Sequence, residues 1–400
     1  MKKSLAFLAV LLSSSFQLSL QAELLAPMPM MFDPDAMEVE DTCIDLMTQQ
    51  GRSTSLPAEV VQFTTSGISA QIPNSAGFSS VPTTNVSNSI GGGCMSGFSR
   101  VMTDEETLSS IKNQASRAQA SGNTEDAALY TEASEQLDRS LEYKRQAAQA
   151  NALGNKEEAS CLYGAASSAR SLSFSLGYST IKYLHEAKPQ NGRNPEVAML
   201  WSRALAQDQR TIEYYRQSIE AYLAGNKELG ERLGRYWPSG SASWAANLST
   251  RELATAAEYL TKAQVVKNPG SAALFMRAVE QYQVASEYFH QAAQAAALGN
   301  ENEGKGWSRM GCSISHSSKN LADAADSLIK AQAEQNSENA ALLVKEANQS
   351  QIAAEYYLQA VQTYAAGNKE EGKSYDQKAW KEEPTTQRLM LQGGFWGGLQ

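Results

Sequence analysis

Four glutamates each stand four residues ahead of a glutamine: Glu142 and Gln146, Glu213 and Gln217, Glu287 and Gln291, Glu355 and Gln359. On a helix that spacing puts a carboxylate and an amide on one face, a turn apart. Such a pair accepts and donates hydrogen bonds but has no nucleophile and no proton shuttle. It suits either a ladder of hydrogen bonds between neighbouring helices or a track that receives a peptide or glycan. Aromatic rings also recur at helical spacing: Trp201, Tyr215 and Tyr222; Phe275, Tyr282 and Phe289; Tyr357 and Tyr364. The stripe reads as core. On an open concave face, Trp201, Tyr222 and Tyr364 would instead anchor a partner.

Reactive chemistry finds little support. The three histidines, His185, His290 and His316, have no partner at metal-ligand spacing. His290 occupies a place held by Arg145, Arg216 and Leu358 in equivalent segments, which fits a surface position. The chain shows no CxxC, no phosphate loop and no nucleophile elbow, and no serine stands in a recognisable catalytic setting. No catalytic residue, metal ligand or cofactor is therefore expected. Cys43 and Cys94 share one irregular region and are a candidate disulfide; Cys161 and Cys312 lie at non-equivalent helical places and read as buried thiols.

What must position these residues is a 33-residue segment written four times, at 123–155, 194–226, 268–300 and 336–368. Each copy opens on an asparagine (Asn123, Asn194, Asn268, Asn336) suited to cap a helix. Pro195 and Pro269 follow two of them at the first helical position. Each copy closes on Gly-Asn. Gly154, Gly225, Gly299 and Gly367 suit the left-handed residue that ends a helix. Asn155, Asn226, Asn300 and Asn368 can cap the next helix, with Glu158, Glu303 and Glu371 placed as in a capping box. Between the ends, apolar stripes cover an arc of roughly 140° at 100° per residue, wide enough for a helix that touches two neighbours.

A second helix type returns between the copies. Leu108, Leu253 and Leu321 each precede a capping Asn by 15 residues. Thr103 with Glu106 forms a capping-box signal at the start of the helical region. The first return helix lacks its partner and the last is short, ending by Pro384, as in the end caps of a solenoid. Trp237-Pro238-Ser239-Gly240 should interrupt one return segment.

Around the Gly-Asn turns the chain resembles the tetratricopeptide family. Tyr143, Tyr214, Tyr288 and Tyr356 precede the glycine by 11 residues, and small Ala147, Ser218, Ala292 and Ala360 by seven. Small Ala159, Gly230, Gly304 and Gly372 follow it by five, and Leu162, Leu233, Trp307 and Tyr375 by eight. The unit is about twice the family's length of roughly 34 residues. The resemblance implies helical hairpins and a protein or peptide partner.

The remaining segments differ. Lys2 and Lys3 precede an apolar run, Leu5 to Leu12, and a polar stretch ending near Ala22, which reads as a signal peptide over 1–22. Residues 23–102 are rich in Ser, Thr, Pro, Gly and Asn, and read as disordered or loosely β-structured. The tail, 383–400, carries Gly393-Gly394-Phe395-Trp396-Gly397-Gly398. Removing 1–22 changes the formal charge from −9 to −11, because Lys2 and Lys3 are the only charges lost. An acidic surface argues against nucleic acid as partner. No further membrane span is legible.

The expectation is an all-α chain of antiparallel long-helix hairpins over 103–382, with units 123–193, 194–267, 268–335 and 336–382. They would stack as an α-solenoid or elongated bundle behind an irregular N-terminal segment. The function expected is a non-enzymatic binding or scaffolding module, exported to the periplasm, cell surface or medium. An envelope-associated enzyme or a secreted effector is the alternative.

Overall fold

The structure is a computed structural model, and it describes residues 103–188, 194–234 and 240–384. The signal segment, the Cys43–Cys94 pair, residues 23–102, most of the Trp237–Gly240 stretch and the tail from 385 lie outside the described residues.

The fold is all-α. The copies of the repeat form the long helices α2 (Thr124–Ala152), α5 (Pro195–Leu223), α8 (Pro269–Leu298) and α10 (Ser337–Ala365). Return helices run between them. α1 (Asp104–Ala120) precedes the first copy. α3 (Lys156–Phe174) passes through a π-helical turn, Ser175–Thr180, into α4 (Ile181–Ala187). α6 (Lys227–Gly234) and α7 (Ala242–Val265) share the second return; α7 starts afresh from its N-cap Ser241, and Pro238, expected to interrupt this return, lies outside the described residues. α9 (Glu301–Ala333) is the unbroken return, and α11 (Lys369–Glu382) is the short last one.

The reversals follow from the Gly-Asn pairs. Gly154, Gly225, Gly299 and Gly367 all have φ between 78° and 85°. The asparagine N–H reaches back to the carbonyl five residues before it, as in Asn226 to Ala221 (2.9 Å), and the glycine N–H to the one three before, as in Gly225 to Tyr222 (3.0 Å). This is a Schellman closure. The turn at Gly122-Asn123, from α1 into α2, has the same bonds.

Asn123, Asn194, Asn268 and Asn336 cap their helices through the side chain, as expected. The asparagines after the glycines differ. Only Asn226 accepts a first-turn N–H, from Leu229 at 3.1 Å. Asn155 and Asn300 instead donate their side-chain amide to Glu158 and Glu303. The reason is local: the backbone N–H that a capping-box glutamate would bind is already spent on the Schellman bond. Thr103 and Glu106, with no such bond upstream, form the full box.

Neighbouring helices are antiparallel. Ser140 donates to Ala166 O and Ser173 to Ala133 O across α2 and α3 (2.7 and 2.6 Å), one partner number falling as the other rises. Each helix packs chiefly on the one before and the one after it. Small residues permit a close approach: Ser168 and Ser218 Oγ are 3.0 Å apart, and Ser249 and Ser286 Oγ 2.8 Å.

The core lies in the aromatic stripe. Trp201, Tyr215, Tyr222, Phe275, Tyr282, Phe289, Tyr357 and Tyr364 are all buried. Tyr222 fits only because its neighbours lack side chains: a methyl group at Gly230 would stand 2.7 Å from its ring, and one at Gly164 would collide with it from α3. Tyr364 lies against Gly372 in the same way. The repeated tyrosines one position earlier sit at the edge of the arc. Tyr288 is buried and stacks on Trp307 (5.7 Å), whereas Tyr143, Tyr214 and Tyr356 are only half-buried.

Candidate functional site

Long polar side chains bridge α2 to α5 and α5 to α8. Arg216 of α5 pairs with Glu132 of α2 at 2.5 Å. Arg203 and Arg210 of α5 reach Gln283 and His290 of α8, at 2.9 Å and about 3 Å. On a wheel of 100° per residue, these seam residues flank the Glu213–Gln217 pair of α5 on both sides and the pairs of α2 and α8 on one side each. The α5 pair therefore follows the midline of that helix's outer face.

Gln146, Gln217 and Gln291 each donate to the glutamate of the same helix, Glu142, Glu213 and Glu287, at 2.9 Å. Glu355 and Gln359 share the exposed face of α10. The bond thus runs along the helix, where a ladder between helices was one expectation. A spacing of four closes it within one turn, and the seams carry the crossings instead. Glu142 gives its other oxygen to Arg145 (2.7 Å), whereas Glu213 and Glu287 keep one oxygen beyond the glutamine bond, and Glu213, Glu287 and Glu355 stand at exposed positions of α5, α8 and α10. Trp201, Tyr222 and Tyr364 lie within the helix-pair interior, with Trp201 stacked on Tyr183 at 5.9 Å.

Two polar centres are buried, and neither was singled out from sequence. The first surrounds Asp208, which has no exposed surface. Its Oδ2 is 2.5 Å from Thr180 Oγ1, which also lies 2.9 Å from Ser175 O across the π turn. One hydroxyl proton cannot serve both oxygens. With Asp208 protonated, its own O–H donates to Thr180, and Thr180 donates to Ser175 O. Burial agrees: it raises Asp208 to about 7, against the lowering effect of the Thr180 bond. The π turn is what brings Thr180 to the acid, as such turns often do at special sites. A signal existed, since Asp208 stands in a column otherwise held by Leu137, Tyr282 and Ser350.

The second centre surrounds His316 on α9. Its ring tilts on Tyr357 (5.2 Å), and its Nδ1 is 3.8 Å from Glu383 Oε1. Neither ring nitrogen makes a hydrogen bond. Glu383 accepts from Tyr357 Oη (3.0 Å) and Asn320 Nδ2 (3.2 Å). Ser313 donates to Asp376 (2.8 Å) and Ser315 to Glu252 (3.0 Å). Burial pushes Glu252 up to about 7 and raises Asp376. Burial pushes Glu383 up too, but His316, the Asn320 bond and Lys319 outweigh it and hold that carboxyl below its ordinary range. The run Cys312–Asn320 is so rich in serine that its polarity concealed its burial.

The two ties Ser315–Glu252 and Asn320–Glu383 occupy equivalent positions of successive return helices, 63 residues apart in both cases. In one the carboxylate is on the earlier helix, in the other on the later.

The other histidines are peripheral. His185 binds Asp126 (2.8 Å), and His290 lies between Arg210 and Gln294, its pKa lowered by burial and by Arg210. Cys312 is a buried free thiol, whereas Cys161, also free, is partly exposed. Among the described residues no group of three or more His, Cys, Asp or Glu side chains is placed to hold a metal ion. No helix among them is long and apolar enough to cross a membrane.

No protein-family model matches this chain, and no curated protein matches it in sequence.

Proposed function

We propose that this protein is an exported helical-repeat scaffold that binds a protein or peptide partner on the outer face of its long helices, without catalysis. The observation that carries the reading is the set of Glu–Gln pairs on that face. Three Glu–Gln pairs, on α2, α5 and α8, adopt one geometry, and Glu213 and Glu287 present oriented acceptors at repeat spacing. A repeated surface of that kind matches the repeat of an extended chain better than it matches one small substrate. The acidic balance favours a protein ligand over nucleic acid. Both buried polar centres are closed to solvent, which weighs against the enzyme alternative.

The test is paired capture from the native host's envelope and medium. Intact protein, a Glu213→Lys/Glu287→Lys variant and a Glu258→Lys control on a return helix are used as baits. A partner retained by the intact protein and the control, and lost from the double variant, supports the outer face. Equal retention by all three refutes it.

A further inference from the structure

α11 is too short for the helix it returns along. It runs 14 residues, Lys369–Glu382, against the 29 of α10. Glu383, the residue after it, meets α10 at Tyr357 (3.0 Å), so among the described residues no return lies beyond that point. The preceding return, α9, runs its full course to Ala333. The first half of α10 is thus packed on one side only. The leucine that opens the apolar stripe shows the consequence. Leu200 and Leu274 are buried in α5 and α8, and Leu129 of α2 is half-buried. Leu342, at the same place in α10, is 59% exposed. At the next position Trp201 and Phe275 are buried, and Leu343 is only partly so. We propose that residues 385–400 of this chain fold back along the first half of α10 and cover Leu342 and Leu343, in the place a full return helix takes in the other units.

Position, reach, composition and charge all favour this occupant. Glu383 is fastened by Tyr357 and Asn320, so the chain beyond it starts where the cover stops. Tyr357 and Leu342 are 15 residues apart in α10, about 22 Å at 1.5 Å per residue. Sixteen further residues reach about 24 Å as a helix and about 53 Å extended. Either suffices. The segment carries Leu389, Met390, Leu391, Phe395 and Trp396, with Arg388 its single charge. Leu389 follows Asn368 by 21 residues, as the buried Leu321 of α9 follows Asn300. Trp396 follows Asn368 by 28, as the core-facing Leu328 follows Asn300. Glu346 of α10 stands where the other copies bury Ala133, Ala204 and Ala278, and Arg388 is its complement in charge. Pro384 is compatible with a fresh start: Glu383 has left the helix (ψ 125°), and proline suits the first position of a new one. Covering Leu342 removes two apolar surfaces from water at once, its own and the segment's. The proposal is independent of the outer-face reading, because Leu342 belongs to the apolar arc and not to the Glu–Gln columns.

The test is hydroxyl-radical footprinting of the full chain, which oxidises accessible side chains and is read residue by residue by mass spectrometry. Leu298, exposed at a turn, is the reference because it is the same residue type. Leu342 should be oxidised at least about tenfold more slowly than Leu298, as expected of a locally closed segment. Leu389→Asp/Trp396→Asp should bring Leu342 close to the Leu298 rate. Phe289, fully buried in α8, should stay protected in both chains and so report an intact fold. Equal rates at Leu342 and Leu298 in the unaltered chain overturn the proposal, as does protection of Leu342 that persists in the double variant. Protection that grows with protein concentration, alongside the mass of a dimer, also overturns it and gives the face to a second copy. Should the double variant lose Phe289 protection, Leu389→Ser is read in its place against the same criteria.

Discussion

Asp208 and Glu252 are carboxyls whose burial raises each to about 7. The folded chain thus keeps protons that the unfolded chain releases above its ordinary carboxylate value. Stability should fall as pH rises from about 4 to 7 and then level off. Asp208→Asn reproduces the protonated form and should be more stable than the parent at pH 8, by up to about 4 kcal/mol, and nearly equal to it at pH 4. Denaturant unfolding at both values measures this, and an equal gain at both would remove Asp208 from the explanation. The aromatic columns make a second comparison. Phe289 is fully buried and its truncation to Ala should cost about 3–5 kcal/mol. Tyr356, half-buried at the arc's edge, should cost clearly less, and thermal unfolding of the two variants ranks them. The apolar arc was legible in the sequence, but its centre was not. Adjacent columns differ by 100° on the wheel, and only the neighbouring helices decide which column points inward.

Turns were the most legible elements. A left-handed residue before a capping residue has few solutions, and Gly-Asn is one of them. Gly225 has φ 78° with open space around it, so Gly225→Val meets no clash and tests backbone strain alone. It should cost about 1 kcal/mol or more in thermal unfolding, because a β-branched residue resists that conformation. Gly164→Ala tests the opposite case, an ordinary backbone with a filled neighbourhood. It should cost about 1–3 kcal/mol through the Tyr222 ring, and Tyr222→Leu in the same chain should restore part of the loss. Independent, additive effects of the two substitutions would show that they do not meet. The π turn at Ser175–Thr180 was not legible. No residue type marks an extra residue in a helical turn, and its partner Asp208 lies 28 positions downstream of Thr180.

At the scale of the whole array, each helix depends mainly on its two neighbours in sequence. Such a chain loses order from its ends, because among the described residues α1 packs chiefly on α2 and α11 chiefly on α10, whereas internal helices pack on both sides. Backbone amide exchange should therefore be slowest in α8, between α7 and α9, and fastest in α1 and α11. Uniform protection from α1 to α11 would instead indicate one cooperative block. The stacking order could be read from cap spacing alone. The outer face could be read only in part: the Glu–Gln columns were visible, but the seams that bound them require knowing which long helices are adjacent.

The crossed ties between return helices bear on how the units came to differ. At one crossing the acid is Glu252 and its donor Ser315; at the equivalent crossing the acid is Glu383 and its donor Asn320. If the units are duplicates of one ancestor, what descended is the bond, while the two sides exchanged chemical roles. Drift in such a family is constrained pairwise, and the single-residue signature at either position erodes even as the contact persists. Internal copies of this chain will therefore look less alike in their sequence than in their bonding.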